Sequence, residues 1–163
     1  MRKVESVVRT ILPLIKDKEL LEVACGEAAF STEASKHCKK VTATDISELR
    51  IKKHNYEKTY LNMEFVKMDA VDLLYDDRSF DITVCYNAIA HLADILDKSL
   101  LEMSRVTGKN GFVIIISTWK LDLKYFAQVE KILAQIPSLK LFKKIRNKDY
   151  SVLLYKKDLA VLQ

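Results

Sequence analysis

The chain has 163 residues, 49% of them hydrophobic and 30% charged, and a net charge of +5. That composition excludes a disordered tract and suits one core in one domain over 1–163. No apolar run reaches the ~20 residues of a membrane-spanning helix, no signal-peptide pattern opens the chain, and three cysteines without metal spacing argue against a disulfide framework or a metal site.

Cys25, Cys38 and Cys85 therefore read as reduced thiols in a cytoplasmic protein. The positive charge mildly favours an acidic partner, or simply reflects a lysine-rich solvated surface. With 3 glycines and 2 prolines, the chain has little material for long loops or a separate substrate domain.

In chain order, apolar residues at Val4, Val7, Val8, Ile11, Leu12 and Ile15 predict an amphipathic helix over about 4–16, disturbed at Pro13. Leu20 to Ala24 predict a strand that breaks at Cys25-Gly26. A helix is expected from Ser31 to Lys39, with Ser31-Thr32-Glu33 as its start signal. The next strand, from Lys40, ends in Asp45. Strand, glycine loop, helix, strand and acid form the pattern of a nucleoside cofactor site at the edge of a parallel sheet. The loop backbone approaches the ligand, and the acid accepts from ribose hydroxyls. A dinucleotide loop wants three glycines, whereas here Gly26 is flanked by Ala24 and Ala28. Ala24 ends a strand, where glycine is least needed. Ala28 is expected to press a methyl group on cofactor or helix.

A basic helical stretch over 48–60 follows, with His54 on a solvated face. Met63 to Asp69 alternate as a third strand, and 76–79 form a turn. Phe80 to Tyr86 are near-continuously apolar, as a strand covered on both faces should be. Asn87 lies at its carboxyl end, and His91 follows one helical turn on. Leu96 to Val106 predict a helix, and Gly108 and Gly111 a turn. Phe112 to Ser117 predict a fifth strand, with Thr118-Trp119 at its carboxyl end. A helix over Asp122–Ile136 stops before Pro137. Leu139–Arg146 and Tyr150–Lys156 read as a hairpin around Asn147-Lys148-Asp149.

These segments, in this order, resemble the class I S-adenosylmethionine-dependent methyltransferases over nearly the whole chain. Glu22 to Ala28 match an acid followed by Gly-x-Gly-x-Gly, with alanine at two of three glycines. Asp69-Ala-Val-Asp-Leu is similar to the family's D-A-x-D-L, and Phe80-Asp-Ile-Thr-Val to its F-D-x-V. Glu102-Met-Ser-Arg-Val-Thr-Gly-Lys-Asn-Gly resembles E-x-x-R-V-L-K-P-G-G. The resemblance implies an α/β fold: a doubly wound, mostly parallel seven-stranded sheet, a C-terminal antiparallel hairpin, and helices on both faces. It implies S-adenosylmethionine as cofactor and S-adenosylhomocysteine as product. Glu22 would orient the loop and the methionine end, with Ala24, Cys25 and Gly26 forming the loop. Asp45 would hold the ribose. Ile46 would pack on adenine, or merely end a core strand. Asp69, preferred over Asp72, would bind the adenine amine, and the Ala70 N–H a ring nitrogen. Asn87 also lies on the cofactor rim.

The catalytic residues are not legible. Asn87 and His91 are candidates, His91 as a general base or as a cap on the pocket, and no metal is expected. Asn87 lacks the Pro-Pro-aromatic continuation of enzymes that methylate nucleic-acid amines. Trp119 lines the acceptor pocket or anchors the next helix. The expected function is methyl transfer to an unidentified small molecule, protein or RNA. Basic clusters at Arg50-Ile-Lys-Lys-His and Lys140–Lys148 would suit RNA, although surface lysines near strands more often serve solubility and edge protection. A catalytically inactive methyltransferase-fold protein, acting as a cofactor-binding or partner subunit, is the alternative, and Ala28 and the missing lid favour it. A nucleotide-binding oxidoreductase is disfavoured by the single glycine and by Glu22. Short lid positions imply an exposed cleft, open to a macromolecule or closed by a homodimer.

Overall fold

The computed structural model describes residues 2–50 and 60–158. The expected helix over 48–60, with His54, lies mostly outside the described residues. Helix α1, Lys3–Ile15, runs through Pro13, which sits on the exposed side of the last turn, so the missing N–H disturbs nothing in the core. Strand β1 (Glu19–Val23), helix α2 (Ala29–Ala34), β2 (Lys40–Asp45), β3 (Met63–Lys67) and β4 (Phe80–Tyr86) follow. A 3-10 segment over Ile89–Ile95 leads into α3, Leu96–Val106. Then come β5 (Thr107–Ser117), the short α4 (Lys120–Leu123), α5 (Phe126–Ala134), β6 (Leu139–Arg146) and β7 (Ser151–Lys157).

The seven strands form one sheet in the order β3-β2-β1-β4-β5-β7-β6. β3 to β5 are parallel, while β7 runs antiparallel to both β5 and β6. This is the expected mostly parallel sheet with a C-terminal hairpin. Helices cover both faces, so central strands are apolar without alternation. Leu20, Ile82 and Val84 face one buried cluster with Val7, Ile11 and Phe30. Leu21, Cys85 and Val113 face the other, with Leu100, Met103 and Leu133. From β1 the chain steps outward one way through β2 and β3, then returns to lay β4 on the other side. That reversal opens a crevice at the carboxyl ends of β1 and β4.

Four boundaries differ from expectation. Helix α2 spans Ala29–Ala34, not Ser31 to Lys39. It ends early because the Asn62 amide, just before β3, donates to the carbonyls of Ser35 at 2.8 Å and Cys38 at 3.1 Å. The expected turn at Gly108 and Gly111 lies inside β5, where the register jumps from Phe80–Thr107 to Ile82–Phe112. A Cβ on Gly111 would come within 2.2 Å of the Asp81 carbonyl oxygen, so only glycine passes there. The expected helix over Asp122–Ile136 is broken into α4 and α5. The third strand stops at Lys67, before Asp69. The hairpin turn is made by Asn147, whose side-chain oxygen accepts from the N–H groups of Asp149 (2.9 Å) and Tyr150 (3.0 Å). β6 is an outer strand, exposed from Lys140 to Lys144, with an irregularity between Leu141 and Lys143.

Candidate cofactor site

The loop leaving β1 alternates into the left-handed region: Ala24, Gly26 and Ala28 each have φ 55°. Left-handed backbone costs an L-residue roughly 1–2 kcal/mol. Ala24 therefore needs a glycine-like conformation as much as Ala28 does. The expectation that the strand end asks least of it is reversed, because β1 stops at Val23. Ala28 differs from expectation too. It is fully buried in the cluster with α1 and Phe30, so its methyl group packs in the core and not in the cleft.

The loop is held by β2. Cys25 donates its N–H to the Thr44 carbonyl at 2.8 Å. Gly26 donates to Asp45 Oδ2 at 2.8 Å, and Ser47 donates to Asp45 Oδ1 at 2.8 Å. One nearly buried carboxylate thus fixes both strand ends, and each of its oxygens retains a lone pair. A Cβ on Gly26 would lie 3.2 Å from the Arg50 guanidinium, which would have to shift slightly to admit it.

Glu22 lies on β1, wholly buried. Its Oε2 accepts from the Ser31 N–H at 3.0 Å and from the Ser31 hydroxyl. Its Oε1 is buried without a partner. Burial pushes its carboxyl from 4.5 up to about 8; the two Ser31 bonds pull it down and the charge of Asp45 pushes it further up. Cys25, also buried, has its thiol pushed up by burial and by both carboxylates, which makes it inert as a nucleophile.

A cleft of about 370 Å³ opens beside the loop, within the ~300–1,000 Å³ of small-molecule sites. Ala24, Asp45, Ile46 and Ser47 line one wall. Ile46 is 65% exposed, which removes the reading of it as the end of a core strand. Met68, Asp69 and Ala70 continue the wall, whereas Asp72 does not line it. Asp69 accepts from the Val71 N–H at 3.1 Å, turning the chain after β3. Ala88, His91, Leu92 and Ile95 line the far wall. Asn87 stands at the end of β4 with φ 52°. Its amide is engaged with Thr118, accepting from the backbone N–H at 2.7 Å and donating to Oγ1 at 2.8 Å. The structure thus brings Ala24, Asp45, Ile46, Asp69, Ala70 and His91 to one cleft. Glu22 and Cys25 lie buried beside the loop, and Asn87 braces the rim. No His, Cys, Asp and Glu cluster able to hold a metal occurs among the described residues.

Two groups at the site have roles that sequence reasoning did not assign. Arg105 donates to the carbonyls of Leu73 (2.7 Å) and Tyr75 (2.8 Å), to Asp77 (2.9 Å) and to both oxygens of Glu102. Glu102 also accepts from the Leu73 N–H at 2.9 Å. The Glu102–Arg105 pair therefore pins the chain that follows Asp69 and Ala70, and its i,i+3 spacing is the signal that could have shown it. Asp122 is fully buried and accepts from the Ala90 N–H at 2.9 Å. Its partner lies 32 residues away, so no local pattern announces it.

Comparison with known proteins agrees with this geometry. The methyltransferase-domain family model matches residues 21–115. A ubiquinone biosynthesis O-methyltransferase of Coxiella burnetii is 28% identical over 127 residues, covering 76% of this chain and 54% of that protein. A demethylmenaquinone methyltransferase of Staphylococcus epidermidis is 30% identical over 126 residues, covering 75% and 52%. The chain thus spans about half the length of the curated relatives it matches. The crystal structure of a SAM-dependent methyltransferase from Aquifex aeolicus superposes with TM-score 0.79 at 18% identity, over 94% of this chain and 89% of that one, and so shares the fold. With the family model covering more than half of the sequence, the chain belongs to the class I S-adenosylmethionine-dependent methyltransferase family.

Proposed function

We propose that the chain binds S-adenosylmethionine in this cleft and catalyses methyl transfer to a small-molecule acceptor. The observation that carries the reading is the Asp45 carboxylate, clamped by the Gly26 and Ser47 N–H groups with acceptor capacity left over. The donors present fit the cofactor. Asp45 accepts from ribose hydroxyls, and exposed Ile46 offers an apolar face to the adenine. Asp69 and the Ala70 N–H read the adenine edge. Glu22, buried beside the loop, steadies the start of α2 from behind through its two bonds from Ser31. With Ala28 turned into the core, that residue no longer speaks for an inactive partner subunit.

Bound there, S-adenosylmethionine supplies a methyl group on a sulfonium sulfur, and in-line attack on the methyl carbon leaves the C–S electron pair with sulfur. The protein's main work is positioning, since the leaving centre is already activated. His91, exposed on the far wall, takes the proton that the acceptor's nucleophile loses and passes it to water. The three cysteines are free and buried, which fits a reducing, cytoplasmic compartment. No helix among the described residues is long and apolar enough to cross a membrane.

Calorimetry with S-adenosylhomocysteine and with NAD tests the reading. Binding of the first and not the second is expected. Heat from NAD alone, or from neither, overturns it.

A further inference from the structure

The basic cluster over residues 140–148 is divided by the fold. Lys140 and Lys144 stand along β6 and pair with Asp158 and Glu130. Arg146 and Lys148, at the end of β6 and in the hairpin turn, line a hollow of about 130 Å³, where Lys120 joins them from the start of α4. None of these three forms an ion pair among the described residues. Asp149 is the one acidic residue lining the hollow, so the hollow stays positive. Like charges set about one hollow repel one another, and an anion among them relieves the repulsion. Arg146 brings a planar fork that matches two oxygens of a phosphate or carboxylate, and the two lysines bring point charges.

The hollow lies at the carboxyl end of β5, on the side of the sheet where the cofactor cleft opens. Thr118 lines it and is tied to Asn87, at the end of β4, by two hydrogen bonds of 2.7 and 2.8 Å. Trp119 lines it too, while His91 lines the cleft. Their rings pack edge to face, centroids 6.5 Å apart, and so form a ridge between hollow and cleft. At about 130 Å³ the hollow falls short of the ~300 Å³ at which sites for whole small molecules begin. It has room for a head group, and the rest of such a ligand lies outside it. The ridge offers that remainder a path over two rings toward the cleft.

We propose that the hollow of Lys120, Arg146 and Lys148 is a subsite for an anionic head group, a phosphate or a carboxylate, carried by the small-molecule acceptor, whose remaining chain crosses the His91–Trp119 ridge to the cofactor. This rests on the methyl-transfer reading above.

Trp119 is the chain's single tryptophan, so its indole N–H resonance reports on the hollow. Labelled protein saturated with S-adenosylhomocysteine is titrated at constant ionic strength with hexyl phosphate, heptanoate and hexanol in turn. One or both anions are expected to shift the indole resonance saturably, and hexanol is not; the tighter anion names the head group. Magnetisation transfer between the far end of the bound chain and S-adenosylhomocysteine is expected as well. Arg146 and Lys148 are exposed, so Arg146→Gln combined with Lys148→Gln leaves the core intact. That pair of substitutions should weaken anion binding about tenfold or more. Lys140→Gln, on the same strand but outside the hollow, should change it less than about twofold. No response to either anion, an equal response to hexanol, full affinity in the double variant, or an equal loss in Lys140→Gln overturns the proposal. Anion binding without transfer to S-adenosylhomocysteine overturns the acceptor role. Failure of S-adenosylhomocysteine to bind overturns the methyl-transfer reading and the acceptor role with it, while the anion site is still read directly from Trp119.

Discussion

The two walls of the cleft use one device for different ends. Over β1 and β2, a strand-end carboxylate, Asp45, gathers the N–H groups of Gly26 and Ser47. Over β4 and β5, Asn87 and Asp122 gather the N–H groups of Thr118 and Ala90. On the first wall Asp45 keeps acceptor capacity that opens on the cleft, while the unpartnered oxygen of Glu22, like Asp122 Oδ2 on the second, is buried out of it. On the second wall the gathering groups are turned inward, and the surface left over is apolar or aromatic. Carboxylates at strand ends are therefore not interchangeable markers of a binding site. Whether the carboxylate opens on the cleft separates them: Asp45 lines it and Asp122 does not.

The largest effect that tests this contrast concerns Glu22. Its carboxyl is raised in the folded state to about 8, from 4.5. Above pH 4.5 the unfolded chain gives up this proton and the folded chain does not. Stability from this group is therefore present at low pH and lost as pH rises to about 8, by an amount on the order of a few kcal/mol. Urea unfolding of the apo protein between pH 5.5 and 8.5 should show this fall. Glu22→Gln should flatten it, and an unchanged slope would place the titrating group elsewhere.

Next, Asp45→Ala removes two charge-assisted bonds and the proposed ribose acceptor together. A loss of about 100-fold or more in S-adenosylhomocysteine affinity is expected by calorimetry. Unchanged affinity would take the ligand off this wall. Smaller is Arg105→Ala, which frees the chain at 73–77. Thermal unfolding should show a loss of ~2 kcal/mol, a drop of about 4–8 °C. A melt like the unmodified protein's would mean that the wall after β3 stands without its clamp.

The smallest effects separate two alanines with the same φ. Ala24→Gly relieves left-handed strain at a partly exposed site, at the expense of greater freedom in the unfolded chain. It should raise stability by up to ~1 kcal/mol. Ala28→Gly gains the same relief but also empties a methyl-sized space in the core, so it should stay near zero. If Ala28→Gly is the more stabilising, the packing assigned to residue 28 is wrong.

The first wall was legible because its parts lie close along the chain. Glu22, Gly26 and Asp45 fall within two strands and one short helix, and their spacing follows from that geometry. The hairpin turn at Asn147 was legible for the same reason, while the sheet came from the resemblance. The second wall was not. Asp122 looks like a helix start and Asn87 like a strand end; their bonds to Ala90 and Thr118 cross 32 and 31 residues. The early end of α2 is hidden likewise, because Asn62 caps it from a distance. Ala24 was misjudged for another reason. Glycine announces left-handed backbone, while alanine held there by its neighbours gives no sign.

β6 closes one side of the sheet with its own hydrogen-bonding groups turned to water. Such a margin can recruit a strand from another molecule. Lys140, Lys143 and Lys144 stand along it, two of them tied to Asp158 and Glu130. A second copy docking margin to margin would meet cation with cation, over a strand already bent out of register. That guard is electrostatic, and at 1 M salt screening shortens its reach to ~3 Å. Concentrated salt would lower the fence, and two copies could then join their sheets there as a closed pair.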